Sequence, residues 1–366
     1  MKWKPEKFIS FPLNHKTKKV KILFEEVMNI IKINHDILKN IDSLQFSIFE
    51  IANLISRKLV LPTIAYIVFQ ANNLYNIFKE EYLNEFIYLI SKGYKKDNPY
   101  HNDLHSADMI QMCHYILNKT KLHEVLKFDK LEIAAFFLAA FAHDFKHPGF
   151  NNFYFINTKS ELALIYNDNS VLENFHVSET FKIINQECDI LKGLLHDDAC
   201  KIRKIMINCI LSTDNAKHGE FFQKLNNLIV TNKITYGVNS EKVIDYSSSI
   251  KISESKLFLL CTLIHATDIG NPGREFNIAK IFSSKCIEEF FNQGDFERMQ
   301  NLPISFLCDR TKVDLPSSQV GFISGFVRPY FEKISEIWPN LKEIIENLKN
   351  NEIEWKKIID NKQKNY

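Results

Sequence analysis

The sequence predicts an all-α fold of many helices. Three observations predict it. Only 10 Gly and 10 Pro occur in 366 residues, too few for a fold built on many tight β-turns. Apolar residues make up 45% of the chain, enough to bury a sizeable core. Apolar runs of helical character end repeatedly in His and Asp, and none reaches the length of a membrane span.

Composition also excludes some classes. A formal charge of +2 argues against a nucleic-acid binder held by phosphate contacts. The seven cysteines (113, 188, 200, 209, 261, 286 and 308) are odd in number and form no CxxC pair. Most sit among apolar residues, as free thiols do in a reducing compartment. Met1-Lys2-Trp3-Lys4-Pro5 carries no apolar secretory signal, so the expected location is cytoplasmic, or membrane-associated if regulatory or anchoring segments lie outside this chain.

In chain order, residues 1–24 read as a basic N-terminal extension, with Lys2, Lys4, Lys7, Lys16, Lys18, Lys19 and Lys21 against Glu6 alone. The domain proper is expected over 25–345. From Val27 to Tyr94 the pattern is helical, with breaks expected near Asn40–Ser43 and at Leu61-Pro62; Asp42 followed by Gln45 suits a helix start. After Pro99 come His101 and His105, spaced to share one helix face, with Asp108 a turn later as either a carboxylate behind the site or a surface charge.

Ile133–Ala142 holds no charge in ten residues and reads as a buried helix. It delivers His143 and Asp144, with His147 expected one turn on along the same face, before Pro148-Gly149 breaks the helix. Turn residues mix with Glu173 and His176 over 160–177, and a further helix closes at Ser212-Thr213-Asp214. Residues 232–256 are expected to be irregular. A second apolar helix, Leu257–Ile264, delivers His265 and Asp268, and 346–366 reads as a charged C-terminal tail. His196-Asp197-Asp198 imitates the His-Asp pair but lies in a charged segment and reads as decoration, while His15, His35, His114, His123 and His218 read as surface or core histidines and not ligands.

Carboxylates at the ends of buried helices need a partner, and a metal is the simplest. His105, His143, Asp144 and Asp268 make a mixed N/O set for zinc or another first-row ion. Asp144 has a second oxygen for another ion, with His147, Glu173 and Thr213 placed to hold its waters. Two such ions suit displacement at phosphorus, and His101, not needed as a ligand, can serve as general acid.

The set resembles the catalytic domain of class I 3′,5′-cyclic-nucleotide phosphodiesterases, which implies a compact multi-helix, HD-type catalytic domain with a deep metal-containing pocket. The residues that carry the resemblance are Tyr100-His101-Asn102-x-x-His105 and His143-Asp144-x-x-His147-x-x-x-x-Asn152. With them go Tyr166-Asn167-Asp168-x-Ser170-Val171-Leu172-Glu173-Asn174-x-His176, Thr213-Asp214, His265-x-x-Asp268-x-x-Asn271-Pro272 and Ser318-Gln319-Val320-Gly321-Phe322. The similarity runs from about residue 25 to about 340.

The resemblance implies hydrolysis of cAMP, cGMP or both to 5′-monophosphates by a hydroxide shared between two divalent ions, zinc and magnesium or manganese. His105, His143, Asp144 and Asp268 would ligate the zinc-type ion, and Asp144 would bridge to the second, near His147, Glu173 and Thr213. His101 would protonate O3′, oriented by Glu289. Gln319 would read the purine edge, Phe322 would stack on the base opposite Ile269, Cys286 and Ile287, and Tyr100 and Asn271 would complete the substrate pocket. Cys286 is smaller than the branched aliphatic common at its place, and Asn215 replaces an apolar residue; both are expected in the base pocket. Nucleotide preference stays open. So do three other readings: a different HD-type nucleotide phosphohydrolase, a non-catalytic cyclic-nucleotide binder and a helical scaffold.

Overall fold

The computed structural model describes residues 14–121, 126–231, 235–236, 242–243 and 249–364. Its main helices are α1 (Asn14–Ile33), α2 (Arg57–Ala71), α3 (Glu80–Gly93), α4 (Asp103–Thr120), α5 (Lys130–Ala142), α6 (Val171–Ile183) and α7 (His196–Leu211). They continue with α8 (His218–Thr231), α9 (Ser249–Asp268), α10 (Phe276–Met299), α11 (Leu315–Phe322), α12 (Arg328–Ser335) and α13 (Lys342–Lys364). The all-α class holds, with one addition. Thr235–Tyr236 pairs antiparallel with Lys242–Val243. Both strands fall in the stretch expected to be irregular, and α9 takes over its last part from Ser249.

The charge-free run becomes α5, buried from Glu132 to Ala142. A helix apolar all round needs neighbours on every side, and α4, α6, α7 and α9 supply them. Its start is fixed by a capping box. Asp129 accepts from the Leu131 and Glu132 amides at 2.9 and 3.0 Å, and Glu132 accepts back from the Asp129 amide at 2.9 Å. Full burial of each of Phe136, Phe137 and Phe141 contributes roughly 1.5–3 kcal/mol against leaving it exposed.

Several boundaries differ from the sequence reading. Asp42 closes a short 3₁₀ turn, and Ser47 instead caps the helix Ile48–Leu54 by accepting from the Glu50 amide at 3.3 Å. No break occurs at Pro62, which lies inside α2. The bond its missing N–H removes belongs to the carbonyl of Lys58, an exposed residue that solvent can satisfy. Of the basic extension, residues 1–13 lie outside the described residues; the rest is in α1, where Val20 and Phe24 join the core. From 346 to 364 the expected C-terminal tail is instead a continuation of α13, which runs unbroken past residue 345 and buries Leu348, Asn351 and Trp355. Trp355 packs edge-on against Phe276 at 5.2 Å between ring centroids. Among the described residues, no helix is long and apolar enough to cross a membrane.

Candidate metal centre and adjoining pocket

Three helix ends meet at the site, though not quite as periodicity suggests. α5 stops at Ala142, so His143–Lys146 form a turn and not a further helical turn. Lys146 is left-handed (φ 63°), and Pro148 disfavours helical backbone at His147. His147 is thereby swung off the expected face and stacks on His101, ring centroids 4.1 Å apart and 16° from parallel. His101 is likewise not on α4. Asn102 is extended and caps that helix, accepting from the Leu104 amide at 2.8 Å, so His101 sits in the turn before it. Asn98 ties the two turns together, donating to the carbonyls of His101 and His147 at 2.8 and 2.9 Å. Gly149 lies against it: with φ 90° and Asn98 Oδ1 2.9 Å from a Cβ placed there, no side chain fits without strain.

His105 from α4, His143 and Asp144 beyond α5, and Asp268 at the end of α9 bring one donor atom each within 4.8 Å of one another. His143 Nε2 lies 3.2 Å from His105 Nε2, 3.1 Å from Asp144 Oδ2 and 3.3 Å from Asp268 Oδ1. His105 Nε2 is 3.0 Å from Asp268 Oδ1. The His143 Nδ1 proton goes to the Ala140 carbonyl at 2.9 Å, which leaves its Nε2 lone pair facing the cluster. Asp144 Oδ2 is buried and has no hydrogen-bond partner. Two imidazole nitrogens and an orphaned carboxylate oxygen converging on one point fit a divalent cation of zinc type.

A second group lies alongside. Asp144, His147 and His176 also bring donor atoms within 4.8 Å of one another. His176 gives its Nδ1 proton to the Phe145 carbonyl at 2.7 Å, so Nε2 faces Asp144 Oδ1 at 3.8 Å. Burial holds His176 down to about 4. Glu173 accepts from Asn152 Nδ2 at 3.0 and 3.3 Å, and burial, then the Asp214 carboxylate, push it up to about 7. Thr213 is buried with its hydroxyl proton committed to the Ile210 carbonyl at 2.8 Å, so it can only accept from a water.

Glu289 takes three bonds from one turn. Its Oε2 accepts from the Tyr100 and His101 amides at 2.8 and 2.9 Å, and its Oε1 meets His101 Nδ1 at 2.5 Å. Burial lowers the His101 imidazole, but the Glu289 charge and hydrogen bond outweigh it and hold the ring up to about 9. Burial raises Glu289, and His101 in turn brings it down to about 2.

On α10, Phe282, Cys286, Glu289 and Gln293 recur at helical spacing and share a face. Phe282 packs edge-on to Tyr100 at 6.1 Å, and Ser283 Oγ reaches Gln319 Oε1 at 2.8 Å. Phe322 lies one turn past Gln319, where α11 passes through a π-helical turn, and stacks on Phe326 at 5.4 Å. Ile269 and Ile287 are buried, Cys286 is partly exposed, and burial pushes the Cys286 thiol up. Tyr100 O–H donates to Asn271 Oδ1. Asn215 is solvent-exposed at the start of a short turn.

The sequence reading assigned no role to four groups that touch this site. Asn152 and His176 stood in the quoted blocks without one, Ser283 gave no signal, and Asp108 was ambiguous. His114 proves to be a buried residue held by Asn72 and Asp42, at 2.8 and 2.7 Å.

The profile of the family described as 3'5'-cyclic nucleotide phosphodiesterase matches residues 100–348. The chain is similar to a 3',5'-cyclic-AMP phosphodiesterase, isoform F, of Drosophila melanogaster, 35% identical over 88% of this chain and 48% of the relative. It is also similar to the 3',5'-cyclic-AMP phosphodiesterase 4C of Mus musculus, 34% identical over 84% of this chain and 44% of the relative. The chain thus spans about half the length of these curated relatives. Among solved structures, the phosphodiesterase domain of the RhoPDE fusion protein from the choanoflagellate Salpingoeca rosetta superposes with a TM-score of 0.77 at 28% identity, over 88% of this chain and 97% of that one. LmjPDEB1 in complex with IBMX gives a TM-score of 0.76 at 25% identity, over 88% of this chain and 93% of that one. The helical architecture, the His/Asp cluster and the length of the profile match agree: the chain belongs to the 3'5'-cyclic nucleotide phosphodiesterase family.

Proposed function

We propose that this chain is the catalytic unit of an enzyme that hydrolyses 3′,5′-cyclic nucleotides to nucleoside 5′-monophosphates. The observation that carries the reading is the placement of His101, paired to Glu289, beside the His105/His143/Asp144/Asp268 cluster. The relatives are named for cyclic AMP, which favours that nucleotide as substrate. Seven unpaired cysteines, five of them buried, suit a reducing compartment.

His105, His143, Asp144 and Asp268 would hold a zinc-type ion, and Asp144 would reach a second ion of magnesium or manganese type near His147, His176, Glu173 and Thr213. Bound divalent ions supply Lewis acidity at the phosphate and a water acidified enough to attack near neutral pH. The residues of the chain do the rest. The His101 imidazolium donates its Nε2 proton to the departing O3′, while Glu289 holds the ring by Nδ1 and balances its charge. Gln319 presents a donor and an acceptor to the purine edge. Phe322 covers one face of the base, with Ile269, Cys286 and Ile287 opposite and Tyr100 and Asn271 at its edge.

Asp144→Ala tests the reading. Because that carboxylate faces both groups of donors, the variant should lose both metals by elemental analysis and lose turnover of cyclic AMP. Normal metal content with normal turnover would refute the assignment. A binder without catalysis is disfavoured, since the positions for ligands and for the proton donor are all filled.

A further inference from the structure

Asp108 lies on α4 one turn beyond His105 and is 2% exposed. It is no surface charge. Its Oδ1 accepts from Arg274 Nη2 at 2.8 Å, and its Oδ2 accepts from Asn271 Nδ2 at 2.9 Å. Arg274 is itself fully buried and also bonds the Gln111 side-chain oxygen, while Gln111 donates to the carbonyls of Ile41 and Ser43 at 2.6 and 2.9 Å. Asn271 is therefore one end of a chain of bonds whose other end is anchored in the turn at Ile41–Ser43.

The direction of that chain is set by chemistry. A carboxylate only accepts, and a guanidinium only donates. Asn271 must therefore turn its NH₂ to Asp108, which leaves its carbonyl oxygen to take the Tyr100 hydroxyl. Without the carboxylate, the two ends of the amide are nearly the same shape and could exchange places. A buried Asp–Arg pair is weak evidence for stability, because desolvation of both charges offsets their attraction. Its second carboxylate oxygen is spent on one amide in the pocket.

We infer that Asp108 is a positioning residue for base recognition: backed by Arg274, it fixes the Asn271 amide in one orientation and so sets which purine edge the pocket accepts. The inference rests on the proposed base pocket. It concerns the specificity of that site and not the ions.

The test is a double-mutant cycle on the metal-loaded protein, with cyclic AMP and cyclic GMP as substrates. Asp108→Asn should raise KM for the better nucleotide about tenfold, the order expected for one buried hydrogen bond, while kcat moves far less. The preference between the two nucleotides should narrow. In an Asn271→Ala background, Asp108→Asn should add less than about twofold, because the group it positions is gone. An equal effect in both backgrounds, or a loss confined to kcat, would overturn the inference alone and assign Asp108 to support of His105. Unchanged KM in Asn271→Ala would overturn the base-pocket reading and the inference with it. Should Asp108→Asn fail to fold with Arg274 left uncompensated, Asp108→Asn combined with Arg274→Met removes the lone charge, and the same cycle is read from that pair.

Discussion

Replacing Glu289 by Gln probes the proton donor without removing it. Gln keeps the size of Glu and one carbonyl oxygen for the Tyr100 and His101 amides, but it cannot balance a charge on the ring. In the intact protein the carboxylate holds His101 up to about 9, against burial that pulls the other way. In the variant the ring should return to roughly its ordinary 6.5 or lower. The sign follows. A raised value keeps His101 protonated at and above neutrality, and the proton is lost as pH rises through that value. Toward the acid end of the range the protonated fractions of the two forms converge, so the loss of rate should be smallest there. At pH 8 the protonated fraction falls from about 0.9 to about 0.03 or less, a loss of roughly thirtyfold or more. Bound cations lower both values, and the separation between the two profiles is what the assay reads. The measurement is kcat for cyclic AMP from pH 5.5 to 9.5. A loss of the same size at every pH would refute the claim that Glu289 acts through the His101 proton.

Two other outcomes test the scaffold. Gly93→Ala would place a Cβ 2.0 Å from Cε2 of Phe145, a ring buried beside Asp144, so urea unfolding should show about 1–3 kcal/mol of lost stability and metal content should fall; an unchanged midpoint would contradict this. His218 stacks on Phe326, bonds His265 at 3.0 Å, and is held down to about 4 by burial and then by His265. Neutral in the folded protein yet protonated in the unfolded chain below about 6.5, it costs stability as pH falls from 6.5 toward 4. His218→Gln should flatten that limb by up to one proton, roughly 1.4 kcal/mol per pH unit, and an unaltered slope would show that other groups set it.

How much of this was legible in the sequence depended on whether the signal was local. α5 was legible because ten residues without charge can only be buried, and the His and Asp at the ends of α5 and α9 followed from those runs. The turns were not. Periodicity placed His101 and His147 on helix faces, whereas the Asn102 cap, left-handed Lys146 and Pro148 put both in turns, stacked on each other. α13 was hidden because Ile344, Ile345, Leu348 and Trp355 form a narrow stripe in a segment otherwise rich in Lys, Glu and Asn. Asp108 was ambiguous because its partners lie 163 and 166 residues away, and no local pattern reports a pairing at that range.

The most direct test of the central claim is the product formed from cyclic AMP in ¹⁸O-labelled water by the metal-loaded protein. Attack of water at phosphorus with departure of O3′ predicts 5′-AMP as the sole nucleotide product, with one ¹⁸O on its phosphate, and no product after chelation. Formation of 3′-AMP, or unchanged cyclic AMP under conditions where the metals are present, would contradict the account.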